Sequence, residues 1–215
     1  LAMSEDCLYL NIWLSNKETG KKAVLFWIYG GSYVAGHNHI SEYSPEELVR
    51  KNRDILVVVP NYRLGILASL NLSSVDSSGE YGESCNLALL DQRMAMKWVH
   101  DNIESFGGDP ENVTIFGQSG GGMKVADLMQ IADADGLFHR ALIMSGVSNA
   151  SLMPSCTGNG HAIVSALLQE LGLSENELGK LETIPYYELA NAYKKVSPVL
   201  AMKGEYIGGG PLVGE

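Results

Sequence analysis

The sequence predicts an α/β protein with a mostly parallel central sheet and helices on both faces. Two observations lead to this prediction. Short apolar runs rich in β-branched and aromatic residues alternate with longer segments whose apolar residues recur every three to five positions. Each apolar run ends at glycine, proline or a polar turn-forming residue. Strands that alternate with helices in this order pair in parallel, because the helix carries the chain back to the start of the next strand.

Five runs have the length and composition of strands. Residues 23–29 and 55–59 are continuously apolar, as in strands that are covered on both faces. Pro60 ends the second of these runs, because proline has no backbone donor for a central ladder. The remaining strands are predicted at residues 8–14, from Val113 onward, and at 141–144.

Helical patterns lie between and after these runs. The clearest is an amphipathic helix from Leu87 to about Ile103, in which apolar residues recur on one face. The other helices are predicted at residues 45–50, 121–133, 162–171 and 186–193, and residues 71–84 are predicted to form a surface loop. No internal repeat or low-complexity linker is present, so residues 1–215 are predicted to form a single domain.

Composition narrows the class of protein. The net charge is −10 and no more than two basic residues are adjacent, which argues against nucleic-acid binding, because that requires a concentrated basic patch. No apolar run approaches the roughly 20 residues needed to cross a bilayer. The three cysteines are too few for a disulfide framework, and their odd number favours reduced thiols and a cytoplasmic over a secreted location.

The chemistry is concentrated where the strand from Val113 ends in Gly-Gln-Ser-Gly-Gly. A strand that turns abruptly into a helix at this point holds the Ser119 hydroxyl on a strained, exposed corner. Gly117 and Gly120 fit this interpretation, because so tight a turn leaves no room for side chains beside the serine. The G-x-S-x-G pattern is a known nucleophile signature. Ser119 is therefore the candidate nucleophile.

A serine nucleophile also needs donors for the negative oxygen that forms when it attacks a carbonyl. The backbone amide of Gly120 is one candidate, and the loop that follows the strand 23–29 begins with Gly30, Gly31 and Ser32. Each motif alone has a plain alternative, a strand-end turn or a helix cap. Both motifs follow apolar strands, in the order that a serine nucleophile with a separate oxyanion loop requires, which favours the catalytic interpretation.

Seven short runs lie in order between residue 4 and about residue 146. They are SEDCLYLN (4–11), WIYGG (27–31), NYRLG (61–65), LLDQ (89–92), FGGDP (106–110), FGQSGG (116–121) and GLFHRA (136–141). Together these runs resemble the type-B carboxylesterase/cholinesterase family. The resemblance implies an α/β-hydrolase fold and a serine esterase that uses no cofactor and acts on small-molecule esters.

Carried over by position, the resemblance implies that Ser119 is the nucleophile and that the amides of Gly31, Ser32 and Gly120 form the oxyanion hole. It also implies a structural ion pair between Arg63 and Asp91.

Three residues depart from the family pattern near the serine. Gln118 stands where the family usually has Glu, so a negative charge beside the nucleophile is absent and a preference for cationic esters gains no support. Ser32 replaces a common Gly or Ala and is expected to narrow the acyl side of the site. Gly120 replaces the usual Ala, which predicts a looser turn.

The acid and the histidine of the family triad lie far downstream of the serine, whereas only 96 residues follow Ser119 here. The sheet is therefore expected to be incomplete on its C-terminal side, and the remainder of the same protein is an expected partner. None of the five histidines is expected to serve as the base: they are His37, His39, His100, His139 and His161.

Two other classes of function remain open from the residues alone. A catalytically inactive fragment or family member can act as a binding or adhesion module, although an intact Ser119 with its glycines argues against it. A nucleotide-binding protein would need a phosphate loop that opens a helix, but residues 30–36 have no Lys-Ser/Thr and no helical pattern follows them.

Overall fold

The computed structural model describes residues 3–16, 20–146 and 158–210. These residues group into two compact units. The sheet unit takes its residues from 6–63 and 88–148, and the helical unit takes its residues from 1–5, 64–87 and 149–215. The single domain expected for residues 1–215 stays a prediction, because this grouping does not test whether either unit folds alone.

In the described ranges, five strands form one sheet with the order β1-β3-β2-β4-β5. β1 is antiparallel to β3, and the other three pairings are parallel. The prediction of a mostly parallel sheet is confirmed. The strands are β1 (Leu10–Leu14), β2 (Lys22–Ile28), β3 (Ile55–Pro60), β4 (Gly108–Gln118) and β5 (Arg140–Met144).

Burial differs sharply across the sheet. Phe26 in β2 and Val58 in β3 are fully buried and are neighbours in the parallel register, as expected for continuously apolar strands. Every residue of β5 is exposed, although this strand is just as apolar. Leu142 has 51% of its surface exposed. β5 is therefore a sheet edge with an uncovered apolar surface among the described residues.

The described residues also form six α-helices, with short 3-10 helices between several of the elements. They are α1 (Glu46–Lys51), α2 (Ile66–Ser69), α3 (Leu87–Asn102), α4 (Gly120–Leu128), α5 (His161–Glu170) and α6 (Tyr186–Met202). The predicted helices at 45–50, 87–103 and 162–171 are confirmed to within a residue or two. α4 ends at Leu128, five residues before the predicted end, and α6 continues nine residues beyond Tyr193.

The extension of α6 passes through Pro198. Proline lacks the N–H that a helix interior uses, so it normally marks a boundary. The buried residues of α6 are Leu189, Ala192 and Ser197, so its packed face continues to the residue before the proline. Tertiary packing therefore extends the helix beyond the point that local sequence predicts.

The helical unit has its own apolar core, formed mainly by α5 and α6. Ile163, Val164 and Leu167 of α5 are fully buried in it. Ser174 and Glu177 form a capping box at the start of the intervening 3-10 helix.

The predicted ion pair between Arg63 and Asp91 is confirmed within the sheet unit. Arg63 Nη2 donates to Asp91 Oδ1 over 2.6 Å, and Arg63 Nε donates to Oδ2 over 2.9 Å. The backbone N–H of Arg63 donates to Oδ2 as well, over 2.9 Å. This bidentate arrangement ties the segment after β3 to α3.

Candidate active site

Ser119 occupies the single residue between the end of β4 and the start of α4. Its φ of 55° and ψ of −124° lie in a region that residues other than glycine rarely adopt. Its backbone N–H donates to the carbonyl of Met144 in β5 over 3.0 Å. The chain therefore reverses at this residue in the strained conformation that the G-x-S-x-G pattern predicts.

Glycines next to Ser119 make so sharp a turn sterically possible. A Cβ on Gly121 would lie 2.1 Å from the carbonyl oxygen of Ile28, and a Cβ on Gly117 would lie 2.5 Å from the carbonyl carbon of Gly121. Both separations are far below van der Waals contact. The first turn of α4 thus packs directly on the backbone of β2.

The Ser119 side chain is exposed, and within the described residues its Oγ makes no hydrogen bond. The histidines of the sheet unit contact other groups: His37 Nδ1 accepts from the His39 backbone, and His39 Nε2 contacts Asn11 Nδ2. His100 contacts Asp101, and His139 accepts from the Val113 backbone. In the part of the sheet unit that the structure describes, no histidine is paired with Ser119.

The helical unit contains the fifth histidine. His161 Nδ1 lies 3.4 Å from Ser165 Oγ, and its Nε2 lies 3.9 Å from a carboxylate oxygen of Glu175. These contacts explain the position of the His161 ring, and no catalytic role is needed to explain it.

Gly31 and Ser32 follow β2 in a tight loop, with φ angles of 97° and 57°. The Gly31 carbonyl accepts from the N–H groups of Val34 and Ala35 over 3.2 and 3.1 Å. The N–H groups of Gly31 and Ser32 themselves donate no hydrogen bond within the described residues. They are available to a bound oxygen atom.

The loop and the serine turn meet at Gly120, the first residue of α4. A Cβ on Gly120 would lie 2.5 Å from both the N and the Cα of Ser32. The structure thus brings Gly31, Ser32, Ser119 and Gly120 together, and their roles as nucleophile and oxyanion donors stay predictions. The prediction of a looser turn at Gly120 is wrong, because the Ser32 backbone occupies the space that an alanine side chain would fill.

The sequence interpretation missed Lys124 in α4, which is fully buried. Its ammonium donates to the carbonyl oxygen of Ser32 and, over 3.1 Å, to that of Gly120. It lies 4.0 Å from the centre of the Tyr33 ring. Burial lowers the pKa of Lys124 to about 8. A lysine between apolar residues on a short helix was the signal that could have revealed it.

Metal-ligating residues do not cluster in the described ranges: no three His, Cys, Asp or Glu side chains group closely enough to hold a metal ion there. No helix of residues 3–16, 20–146 or 158–210 is long and apolar enough to cross a membrane. The absence of a cofactor and the location of the protein stay predictions.

Solved structures of esterases superimpose closely on this chain. An esterase from Clostridium hathewayi shares 51% sequence identity at a TM-score of 0.91, over 100% of this chain and 42% of its own. The Geobacillus stearothermophilus carboxylesterase EST55 shares 35% identity at a TM-score of 0.80, over 98% and 42% of the two chains. The α/β-hydrolase fold is confirmed by these likenesses.

Relatives identified by sequence are esterases as well. The para-nitrobenzyl esterase of Bacillus subtilis is 40% identical over 88% of this chain, and the acetylcholinesterase of Gallus gallus is 38% identical over 79%. The matched regions are 37% and 21% of those proteins, so this chain spans well under half of their length. The family model described as "Carboxylesterase family" matches residues 1–215. The chain belongs to the carboxylesterase family.

Proposed function

We propose that the protein to which these residues belong hydrolyses carboxylic esters through an acyl-enzyme on Ser119. One observation carries the proposal. The exposed Ser119 hydroxyl sits on a strained turn next to the N–H groups of Gly31 and Ser32, and none of these three groups makes a hydrogen bond within residues 3–16, 20–146 and 158–210. A nucleophile beside free donors suits attack on a carbonyl.

In the proposed reaction, Ser119 Oγ attacks the ester carbonyl carbon while a base removes its proton. The carbonyl oxygen becomes an oxyanion, which the amides of Gly31, Ser32 and Gly120 stabilise. Collapse of this intermediate breaks the bond to the alcohol, which leaves with a proton from the base. Water then attacks the acyl-enzyme by the same route, which releases the carboxylic acid and restores the serine.

The base and its orienting acid are proposed to come from the remainder of the same protein. Two observations support this. The match to this chain covers 42% of the Clostridium and of the Geobacillus chain. The edge strand β5 exposes Leu142 and Ile143, and a further part of the chain packed there would cover them. Without a base, the donors alone give only a small fraction of the rate.

The substrate class is proposed to be small, uncharged esters. Gln118 places a neutral amide beside the serine, so no fixed negative charge at that position attracts a cationic alcohol. The Clostridium relative is described as an esterase that "can hydrolyze aliphatic aromatic polyesters". Aromatic and aliphatic ester fragments are therefore the first substrates to test.

The test uses a fluorophosphonate probe and p-nitrophenyl acetate with the complete protein and with the 215-residue chain. We expect labelling and turnover of the complete protein, loss of both in Ser119→Ala, and little of either in the shorter chain. Ser145→Ala is a matched control, because Ser145 is also exposed and has a positive φ, of 63°. It should retain both.

Two results would contradict the proposal. Labelling and turnover that persist in Ser119→Ala would exclude this serine as the nucleophile. A complete protein that is inert towards both reagents would instead favour the alternative, a binding or adhesion module with an unused serine.

A further inference from the structure

The two backbone segments that would donate to the oxyanion come from different strands. The loop containing Gly31 and Ser32 follows β2, and the turn containing Ser119 and Gly120 follows β4. A shift of about 1 Å between such segments is enough to weaken catalysis severely. Their relative position therefore needs a fixed connection.

The Lys124 side chain makes that connection. Its ammonium donates to the Ser32 carbonyl on one segment and to the Gly120 carbonyl on the other. Both carbonyls belong to residues whose N–H groups are proposed donors. Holding each carbonyl restrains the orientation of the same residue's amide, since both are part of one short backbone segment.

We propose that Lys124 is a positioning residue that clamps the Ser32 loop to the Ser119 turn, so that the amides of Gly31, Ser32 and Gly120 converge on one oxygen. This inference rests on the proposed ester hydrolysis. Lys124 does not act as the base, because within the described residues its ammonium makes no hydrogen bond to Ser119 Oγ.

The surroundings of Lys124 favour this role over simple filling of space. A buried ammonium is costly unless it is paired, and an apolar side chain would fill the same space without that cost. Here the charge faces the rings of Tyr33 and Tyr62, at 4.0 and 5.4 Å from their centres. Asp127 lies on the same helix and accepts from the Tyr33 hydroxyl over 2.5 Å. The need to fill space therefore does not explain why a lysine rather than an apolar residue occupies this position.

The experiment compares Lys124→Met with Gln92→Met in the complete protein. Gln92 is equally buried and donates to the Ala88 carbonyl over 2.8 Å within α3, so its replacement removes a buried polar group of the same unit whose hydrogen bond involves neither donor segment. We expect kcat for p-nitrophenyl acetate to fall about 10- to 100-fold in Lys124→Met with KM unchanged, somewhat less than the loss of a whole oxyanion donor. Gln92→Met should keep the wild-type kcat.

Amide hydrogen exchange gives a second readout that needs no turnover. The N–H groups of Val34 and Ala35 bond to Gly31, and that of Met123 bonds to Ser119, so their exchange reports the order of the two segments. We expect at least tenfold faster exchange at these amides in Lys124→Met and no change in Gln92→Met. If Lys124→Met does not fold, Lys124→Gln, whose side chain is one atom shorter, replaces it.

The outcomes separate the two proposals. If Ser119→Ala abolishes turnover but Lys124→Met keeps the wild-type kcat, the clamp is overturned and ester hydrolysis stands. Unchanged exchange at Val34, Ala35 and Met123 also overturns the clamp. If turnover does not depend on Ser119, the proposed function fails, whatever the exchange rates show.

Discussion

Replacing Gly121 by alanine tests the packing that holds the serine turn. Gly121 is a helical residue with an ordinary negative φ, so intrinsic propensity predicts that alanine would stabilise α4 by about 0.5–1 kcal/mol. The structure predicts the opposite. The new Cβ would lie 2.1 Å from the Ile28 carbonyl oxygen and 2.9 Å from that of Tyr29, both buried backbone atoms of the β2 end.

Reaching an ordinary contact of 3.4 Å from the Ile28 oxygen requires a movement of about 1.3 Å, and neither backbone atom can rotate away as a side chain could. Overpacking of this kind typically costs about 1–3 kcal/mol, and the absence of a flexible neighbour places this site at the upper end. After subtracting the propensity gain, we expect Gly121→Ala to lower the unfolding free energy by about 2 kcal/mol.

Urea unfolding measures the effect. A loss of about 2 kcal/mol lowers the midpoint by about 1 M for a typical slope of about 2 kcal/mol/M. Gly179→Ala is the control, because Gly179 is also helical, has no positive φ, and a Cβ there would meet only the Tyr81 hydroxyl at 3.5 Å. That variant should be neutral or slightly more stable. A Gly121→Ala protein as stable as wild type would refute the close packing of α4 on β2.

Two further predictions concern charged groups. Burial lowers the pKa of Lys124 from 10.5 to about 8. Above pH 8 the Lys124 ammonium is therefore deprotonated in the folded protein but still protonated in the unfolded chain. Because the unfolded state then binds more protons, the free energy of unfolding rises with pH. Between pH 7 and 9.5 the unfolding free energy of wild type should therefore gain about 2 kcal/mol over that of Lys124→Met, while a constant difference would contradict the buried charge. Asp91→Ala leaves the half-buried Arg63 without its bidentate partner and should cost about 1–3 kcal/mol. A double-mutant cycle with Arg63→Ala measures the interaction free energy of the pair. A value near zero would show that the pair does not stabilise the fold.

Local sequence predicted the elements whose signals lie within a few residues. The strands at 23–29 and 55–59 follow from continuous apolar runs, and the Ser119 turn follows from its glycines. β4 begins at Gly108, five residues before the predicted Val113. The residues from Gly107 to Pro110 are typical of turns, so the sequence did not indicate that the strand begins there. Its register with β2 is irregular at the same place.

Long-range features could not be predicted in this way. β1 pairs antiparallel with β3, although its residues carry no signal of direction. β5 is as apolar as β2 but exposed, because burial depends on what packs against a strand and not on the strand alone. The contacts of Lys124 could not be predicted for a similar reason, because the two carbonyls that accept from it follow strands that are far apart in the sequence.

Packing within the sheet unit determines the positions of the proposed nucleophile and oxyanion donors, but it does not supply a base. The positions of Gly31, Ser32, Ser119 and Gly120 depend on contacts between β2, β4 and α4, all of which lie in the sheet unit. The proposed nucleophile and its proposed donors are therefore arranged by contacts within this unit, which do not involve a base. A base, by contrast, must approach Ser119 Oγ from the open side of the turn, where no histidine of the described sheet unit contacts it. If the remainder of the protein supplies the base, as proposed, the activity depends on what packs against the exposed edge strand β5, and the specificity depends on whichever residues line the space around the acyl and alcohol groups.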